Sequence, residues 1–332
     1  MTIRVGILTA PKIELQRNND GTTTLKNVRI GIGFHWDRHE DQVFEGQMEI
    51  LHNADGTETA VNTLDIEDYL TSVISSEMAA TAPMELLKAH AVISRSWAVR
   101  AIGHTDHVGF DVCADDHCQR YEGILRRNDR AVQAVRETAH EVLTCNGEIC
   151  DCRYHKCCGG RTEIWRTCWE DIDVPYIESV ECPYCGKARP DSSLNDYDLE
   201  THDYHDWTVR YSRSELSDIV RRKTGTDYGT IQHLIPISRG ASGRIDRLEI
   251  VGTKHRETIG KELVIRQTLS NSTLYSSWFY VTEDADSFTL NGHGWGHGAG
   301  LCQIGAAVMA EEGFTYQQIL AFYYKHTQLT QY

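Results

Sequence analysis

The chain has no basic excess. Its 332 residues include 33 Lys and Arg against 48 Asp and Glu, a formal net charge of −15 with histidine neutral. Proteins that grip nucleic-acid phosphates usually carry the opposite sign, so a general polyanion binder is excluded and any anionic ligand needs a locally basic groove. No apolar run approaches the ~20 residues needed to cross a bilayer, so no transmembrane segment is expected. The opening MTIRVGILTAPKIELQ lacks the charged head and long apolar stretch of a signal peptide, which predicts either a cytoplasmic protein or a trimmed mature form. Internal repeats and low-complexity linkers are also missing, which sets repeat architectures aside. What remains is 40% hydrophobic and 24% charged, the composition of a globular protein long enough for a real core.

Cysteine is abundant. There are 11, an odd number that cannot all pair within one chain, and most lie between Cys113 and Cys185. The stretch HVGFDVCADDHC interleaves His107, Cys113, His117 and Cys118, and thiolate with imidazole is the donor set Zn²⁺ prefers. A second group, CDCRYHKCCGGRTEIWRTCW followed by ECPYCG, has Cys182-x-x-Cys185 as its clearest knuckle. Over 145–185 it offers a second metal site, a disulfide or a redox couple.

The hydrophobic period changes along the chain. The first sixty or so residues alternate as strands, with hairpin turns at Asp20-Gly21 and Asp55-Gly56. DIEDYLTSVISSEM and APMELLKAHAVISRSWAVRAI then carry helical spacing, the second with Pro83 in its first turn. Residues 104–190 read as irregular and 191–206 as an acidic solvated loop. A helix capped by Ser212 or Ser214 and ended by Gly225 follows, then the strands RIDRLEIVG and WFYVTED. Gly313 closes a further helix, and Thr315 with Gln318 forms a capping box for the last. Strands, helices, strands, helices predict an α+β fold rather than a doubly wound sheet.

Two further features carry chemistry. Glu77 ends the first helix on its apolar side, where a carboxylate's charged form is disfavoured, as a general acid requires. The structural alternative is a helix-end glutamate paired with Lys88 or Arg95 on the next helix, residues equally suited to orienting an anionic substrate. Near the C-terminus, LNGHGWGHGAGLCQIGA interleaves glycines with His293, Trp295 and His297. Gly294, Gly296 and Ala299 formally satisfy a dinucleotide fingerprint, but no room remains for the rest of that unit. A tight loop that lets a ligand approach the backbone, with His293 and His297 supplying hydrogen bonds, is the better functional reading. A plain structural turn is the alternative.

Together these stretches resemble the SpoIID/LytB family, the stage II sporulation protein D and amidase-enhancer group. The block NTLDIEDYLTSVISSEMAATAPMELLKAHAVISRSWAVRAI, the segments DVCADDHCQRYEG and YHKCCGGRTE, and GHGWGHGAGLCQIGA with its helical tail carry the resemblance. Cys158 and Cys302 depart from it, standing where the family usually has serine. The resemblance implies one SpoIID-like unit over 1–332: a β-rich part to 65, a helical and metal-binding part over 66–180 with its helices near 66–102, an insertion at 181–206, and 207–332 with C-terminal helices lining a glycan cleft. It implies a peptidoglycan lytic transglycosylase in the cell envelope, periplasmic or extracytoplasmic, with Glu77 as its acid and base. Arg95, Tyr154, Lys156, His293, His297 and Gln303 would then bind glycan. It also implies Zn²⁺, of structural role, on His107, Cys113 and Cys118 with water or His117 as fourth ligand, Cys182 and Cys185 being further candidates. The rival readings are a glycan-binding enhancer of a cell-wall amidase, and a thiol redox or metal-handling protein.

Overall fold

The computed structural model describes residues 1–32, 37–104, 107–115, 117–187 and 202–332. The chain is α+β and divides into two compact units, Met1–Cys152 with Gln328–Tyr332, and Arg153–Thr327. That boundary differs from the divisions expected at 65, 180 and 206. Most of the acidic stretch at 191–206 lies outside the described residues.

In the first unit the strand Thr2–Ala10 is the centre of a sheet. It pairs antiparallel with Glu58–Asp65, which pairs with Gln47–His52, and parallel with the short strand Val112–Cys113. The turn joining the outer pair falls at Asp55-Gly56, with Gly56 at φ 85°. The parallel contact matters for the site. It sets Gly6 opposite Cys113, so the backbone of a candidate metal ligand is fixed by the sheet.

Helix α1, Ile66–Glu77, starts where Asp65 accepts a hydrogen bond from the Glu67 amide and so caps the helix with a carboxylate. Tyr69, Leu70, Val73 and Ile74 bury its apolar face. Pro83 stands one place before the first turn of α2, Met84–Ala101, as its N-cap residue. Helix α3, Asp129–Glu137, lies inside the stretch expected to be irregular. Asn128 caps it, and it buries only Ala131, Ala134 and Val135. The C-terminal strand Gln328–Gln331 pairs with Glu141–Cys145 and completes this unit.

The second unit holds two three-stranded antiparallel sheets. Asp206–Ser212, Ser287–His293 and Phe279–Glu283 form one, and Ile231–Arg239, Ile245–Gly252 and Arg256–Ile259 the other. Their shared core includes Trp207, Leu248, Phe279 and Phe288. Ser212, the first of the two expected caps, starts the helix Arg213–Thr224, and Gly225 ends it in the left-handed region at φ 72°. A two-stranded parallel contact joins Tyr154–His155 to Leu301–Cys302. The helices Gln303–Glu311 and Tyr316–Tyr323 follow, the second opened by the Thr315–Gln318 capping box.

Candidate functional site

In the first unit, Glu77 is the last residue of α1 and is half-buried. Its Oε1 accepts a hydrogen bond from the Arg120 amide at 3.1 Å, and the Arg120 guanidinium donates to the Ser76 carbonyl at 3.3 Å. The carboxylate is therefore held by the segment leaving the Cys/His loop. Gln119 anchors that same segment: it accepts from the Tyr69 hydroxyl at 3.1 Å and donates to the Ser94 carbonyl at 3.4 Å. Sequence reasoning missed Arg120, because a backbone amide leaves no trace in residue type.

The loop itself gathers His107, Cys113, His117 and Cys118, whose ligand atoms all lie within 4.8 Å of one another. His107 Nε2 is 3.2 Å from Cys118 Sγ, and His117 Nδ1 is 3.5 Å from Cys118 and 3.9 Å from Cys113. Two thiols and two imidazoles converging from one short segment are the donor types and the number that a structural Zn²⁺ site uses. The contact with Cys118, then the Asp115 backbone and His117, lowers the Cys113 thiol to about 5 against the opposing effect of burial. A thiol so disposed is a thiolate at neutral pH, the form that ligates metal.

Arg95 stands elsewhere. Its side chain is fully buried, and it donates to both Glu67 carboxylate oxygens at 2.9 and 2.7 Å and to the carbonyls of Glu141 and Val135 at 3.1 and 3.2 Å. This arginine clamps α1 to α3 and the neighbouring strand. The expectation that it binds substrate or holds Glu77 is corrected accordingly: its donors are already committed to Glu67 and the backbone. Lys88 likewise pairs with Glu85 and Glu137.

In the second unit the structure brings Tyr154, Lys156, His293, His297 and Gln303 onto neighbouring segments, around the parallel pairing of Tyr154 with Leu301 and His155 with Cys302. Gly294, Gly296, Gly298 and Gly300 all have positive φ, at 75°, 97°, 85° and 70°. The glycines serve the chain itself. A Cβ at Gly294 would sit 2.7 Å from the Cys157 carbonyl oxygen, and one at Gly300 would collide with the Arg153 carbonyl. The notion that glycine is needed there so that a sugar can lie on the backbone is replaced by close approach of residues 153–158 and a left-handed conformation that side chains resist.

The histidines differ in state. His293, partly exposed, places Nδ1 2.6 Å from Asp206 Oδ1, and the other Asp206 oxygen is 2.6 Å from His205 Nδ1. His297 accepts the Ala299 amide on Nδ1 at 3.1 Å, and burial, reinforced by His155, pushes its pKa well down. His155 bonds the Ala299 carbonyl through Nδ1 at 3.1 Å, and burial lowers it to about 3. Its Nε2 is buried with no hydrogen-bond partner. Gln303 is buried at the start of its helix, while Tyr154 and Lys156 are half-buried. Asp206 and His155 were not singled out in the sequence. Cys182 and Cys185 do not join the His107 set; they lie in the second unit with Cys158 and Cys302. None of the 11 cysteines is joined in a disulfide. Among the described residues, no helix is long and apolar enough to cross a membrane.

Comparison with known proteins bears on both units. A family model described as stage II sporulation protein, SpoIID, matches residues 54–145, which contain Glu77 and the Cys/His loop. A domain of unknown function matches 163–300. The chain is 29% identical to an uncharacterised protein of Brachyspira hyodysenteriae, over 83% of this chain and 69% of that one. It is 28% identical to the amidase enhancer of Bacillus subtilis over 79% of this chain but only 40% of that protein. It is also 25% identical to the stage II sporulation protein D of Bacillus subtilis, over 82% and 76% of the two chains.

Proposed function

The chain belongs to the SpoIID/LytB family, and on that premise we propose that it is a lytic transglycosylase acting on the peptidoglycan of the bacterial cell wall, outside the cytoplasm. The observation that carries this reading is Glu77: a half-buried carboxyl group at a helix end, with one oxygen fixed by the Arg120 amide at 3.1 Å. A single positioned carboxyl group suffices when the nucleophile belongs to the substrate.

Glu77 protonates the glycosidic oxygen between N-acetylmuramic acid and N-acetylglucosamine. The C1–O bond breaks through an oxocarbenium-like transition state. The resulting carboxylate then removes the proton from the muramic acid C6 hydroxyl, whose oxygen bonds to C1 and closes a 1,6-anhydro ring. Glu77 ends as it began, and no water is consumed. Tyr154, Lys156 and His293 are assigned to glycan contact, with His297 and Gln303 shaping the loop behind them.

His107, Cys113, His117 and Cys118 fit Zn²⁺ by donor type and convergence. Bound there, the ion would supply a cross-link for the loop; the acid–base steps use Glu77 alone. The chain's own contribution is the path from Cys118 through Gln119 to the Arg120 amide, which fixes the carboxylate.

The test is to incubate the protein and a Glu77→Gln variant with peptide-free glycan strands and identify products by mass. Anhydro-muramic ends from the parent alone support the proposal; strands bound but uncut refute it. The second outcome favours the enhancer reading, which the 28% identity to a protein named amidase enhancer supports, and which stimulation of a cell-wall amidase would test.

A further inference from the structure

Four buried sulfurs lie together in the second unit. Those of Cys158, Cys182, Cys185 and Cys302 all fall within 4.8 Å of one another, with Cys158 and Cys185 3.3 Å apart. The four residues are 0–2% exposed. They come from three segments: the Cys158-Gly159-Gly160 turn, the Cys182–Cys185 knuckle and the residue preceding the helix Gln303–Glu311. We infer that these four cysteines form a second, tetrathiolate metal site that binds one Zn²⁺ ion.

Geometry and surroundings support it. Four thiolates at about 2.3 Å from one Zn²⁺ stand about 3.8 Å apart, close to the separations found here. A disulfide needs sulfurs about 2.05 Å apart and would use them in pairs. An iron–sulfur cluster spreads its thiolates over several metal atoms and suits so tight a group less well. Thiolates also need donors, and they are present. Cys302 Sγ accepts the amides of Cys158 at 3.2 Å and Gly305 at 3.3 Å, at a helix N-terminus that favours negative charge. The Tyr323 hydroxyl lies 3.3 Å from Cys182 Sγ. Cys157 also approaches Cys185 and Cys302, but it is not one of the four whose sulfurs all converge within 4.8 Å.

The ion would tie the knuckle to the two strands that carry Tyr154, Lys156 and the glycine–histidine loop. Cys302 pairs with His155 in the sheet, and the Cys158 carbonyl accepts from buried Arg244 at 3.3 Å. This role is structural and stands whether the protein cleaves glycan or only binds it.

The experiment measures metal on the purified full chain. Zinc by mass spectrometry is expected at two equivalents. One should be lost in Cys158→Ser/Cys302→Ser and the other in Cys113→Ser/Cys118→Ser, with both kept in Cys157→Ser. Cobalt exchanged into the Cys113→Ser/Cys118→Ser variant should give the visible bands of a tetrahedral all-sulfur site. Because the Cys158 pair variant can fail to fold, alkylation of the native parent supplies an independent reading. Cys158, Cys182, Cys185 and Cys302 should resist labelling until a chelator is added. One zinc equivalent that vanishes with Cys113 and Cys118, labelling indifferent to chelator, or a two-dalton mass loss marking a disulfide would each overturn the inference.

Discussion

Replacing Arg95 by methionine removes a guanidinium that makes four hydrogen bonds from a fully buried position. Breaking a buried ion pair costs about 3–5 kcal/mol when the surviving charge stays sealed. Glu67 keeps 23% of its side chain exposed and rehydrates in part, which pulls that figure to its lower end. Two carbonyls, of Glu141 and Val135, also lose a donor, at about 1 kcal/mol each. The expected loss is therefore about 5 kcal/mol, comparable with the lower end of the ~5–15 kcal/mol that usually holds a domain. Urea and thermal unfolding of the full chain should show the first unit melting on the order of 10 °C lower. Glu67→Gln should cost less, since its amide still accepts and the site is partly wet. Assayed well below the melting point, the Arg95→Met variant should keep the parent's KM for glycan. A variant as stable as the parent but with KM raised about tenfold would refute the reasoning and restore Arg95 as a substrate ligand.

Other perturbations test other parts of the account. Gly300→Ala places a Cβ at φ 70° against the Arg153 carbonyl, so thermal unfolding should show a loss beyond the ~1–2 kcal/mol of a left-handed alanine. Gly21→Ala, at φ 87° in open space, should lose no more than that amount. Cys113→Ser/Cys118→Ser loosens the loop whose exit holds Glu77, and should slow glycan cleavage on the order of tenfold or more with Glu77 intact; an unchanged rate would show that the loop does not position the carboxylate. Thr315→Ala breaks the capping box of the last helix and should cost about 1 kcal/mol in urea unfolding without altering cleavage.

Much of the fold is legible from local signals. The Asp65 cap, the buried stripe of Tyr69, Leu70, Val73 and Ile74, and the Thr315–Gln318 box each depend on residues a few places apart. Helix α3 escaped because its buried side is two alanines and one valine, too small a stripe to stand out among charged neighbours. The His107–Cys118 group was readable because its four candidate ligands fall within twelve residues. Arg95 was misread for a different reason. Its place on a helix gives a direction, but its partner Glu67 lies 28 positions back and two carbonyls complete its shell. Cys158 and Cys302 were visible as departures from serine. Their convergence rests on a pairing between strands almost 150 positions apart, which no local pattern reports. The alternating glycines announced a tight loop with close approach to its backbone; what approaches proved to be the chain's own carbonyls and Arg244.

The central claim is that Glu77 drives a cleavage in which the substrate supplies its own nucleophile. Digesting peptide-free glycan strands in ¹⁸O-labelled water tests it most directly. The account predicts 1,6-anhydro-muramic ends from the parent, carrying no solvent oxygen, and none from Glu77→Gln. Labelled reducing ends would contradict it, because water would then be the nucleophile.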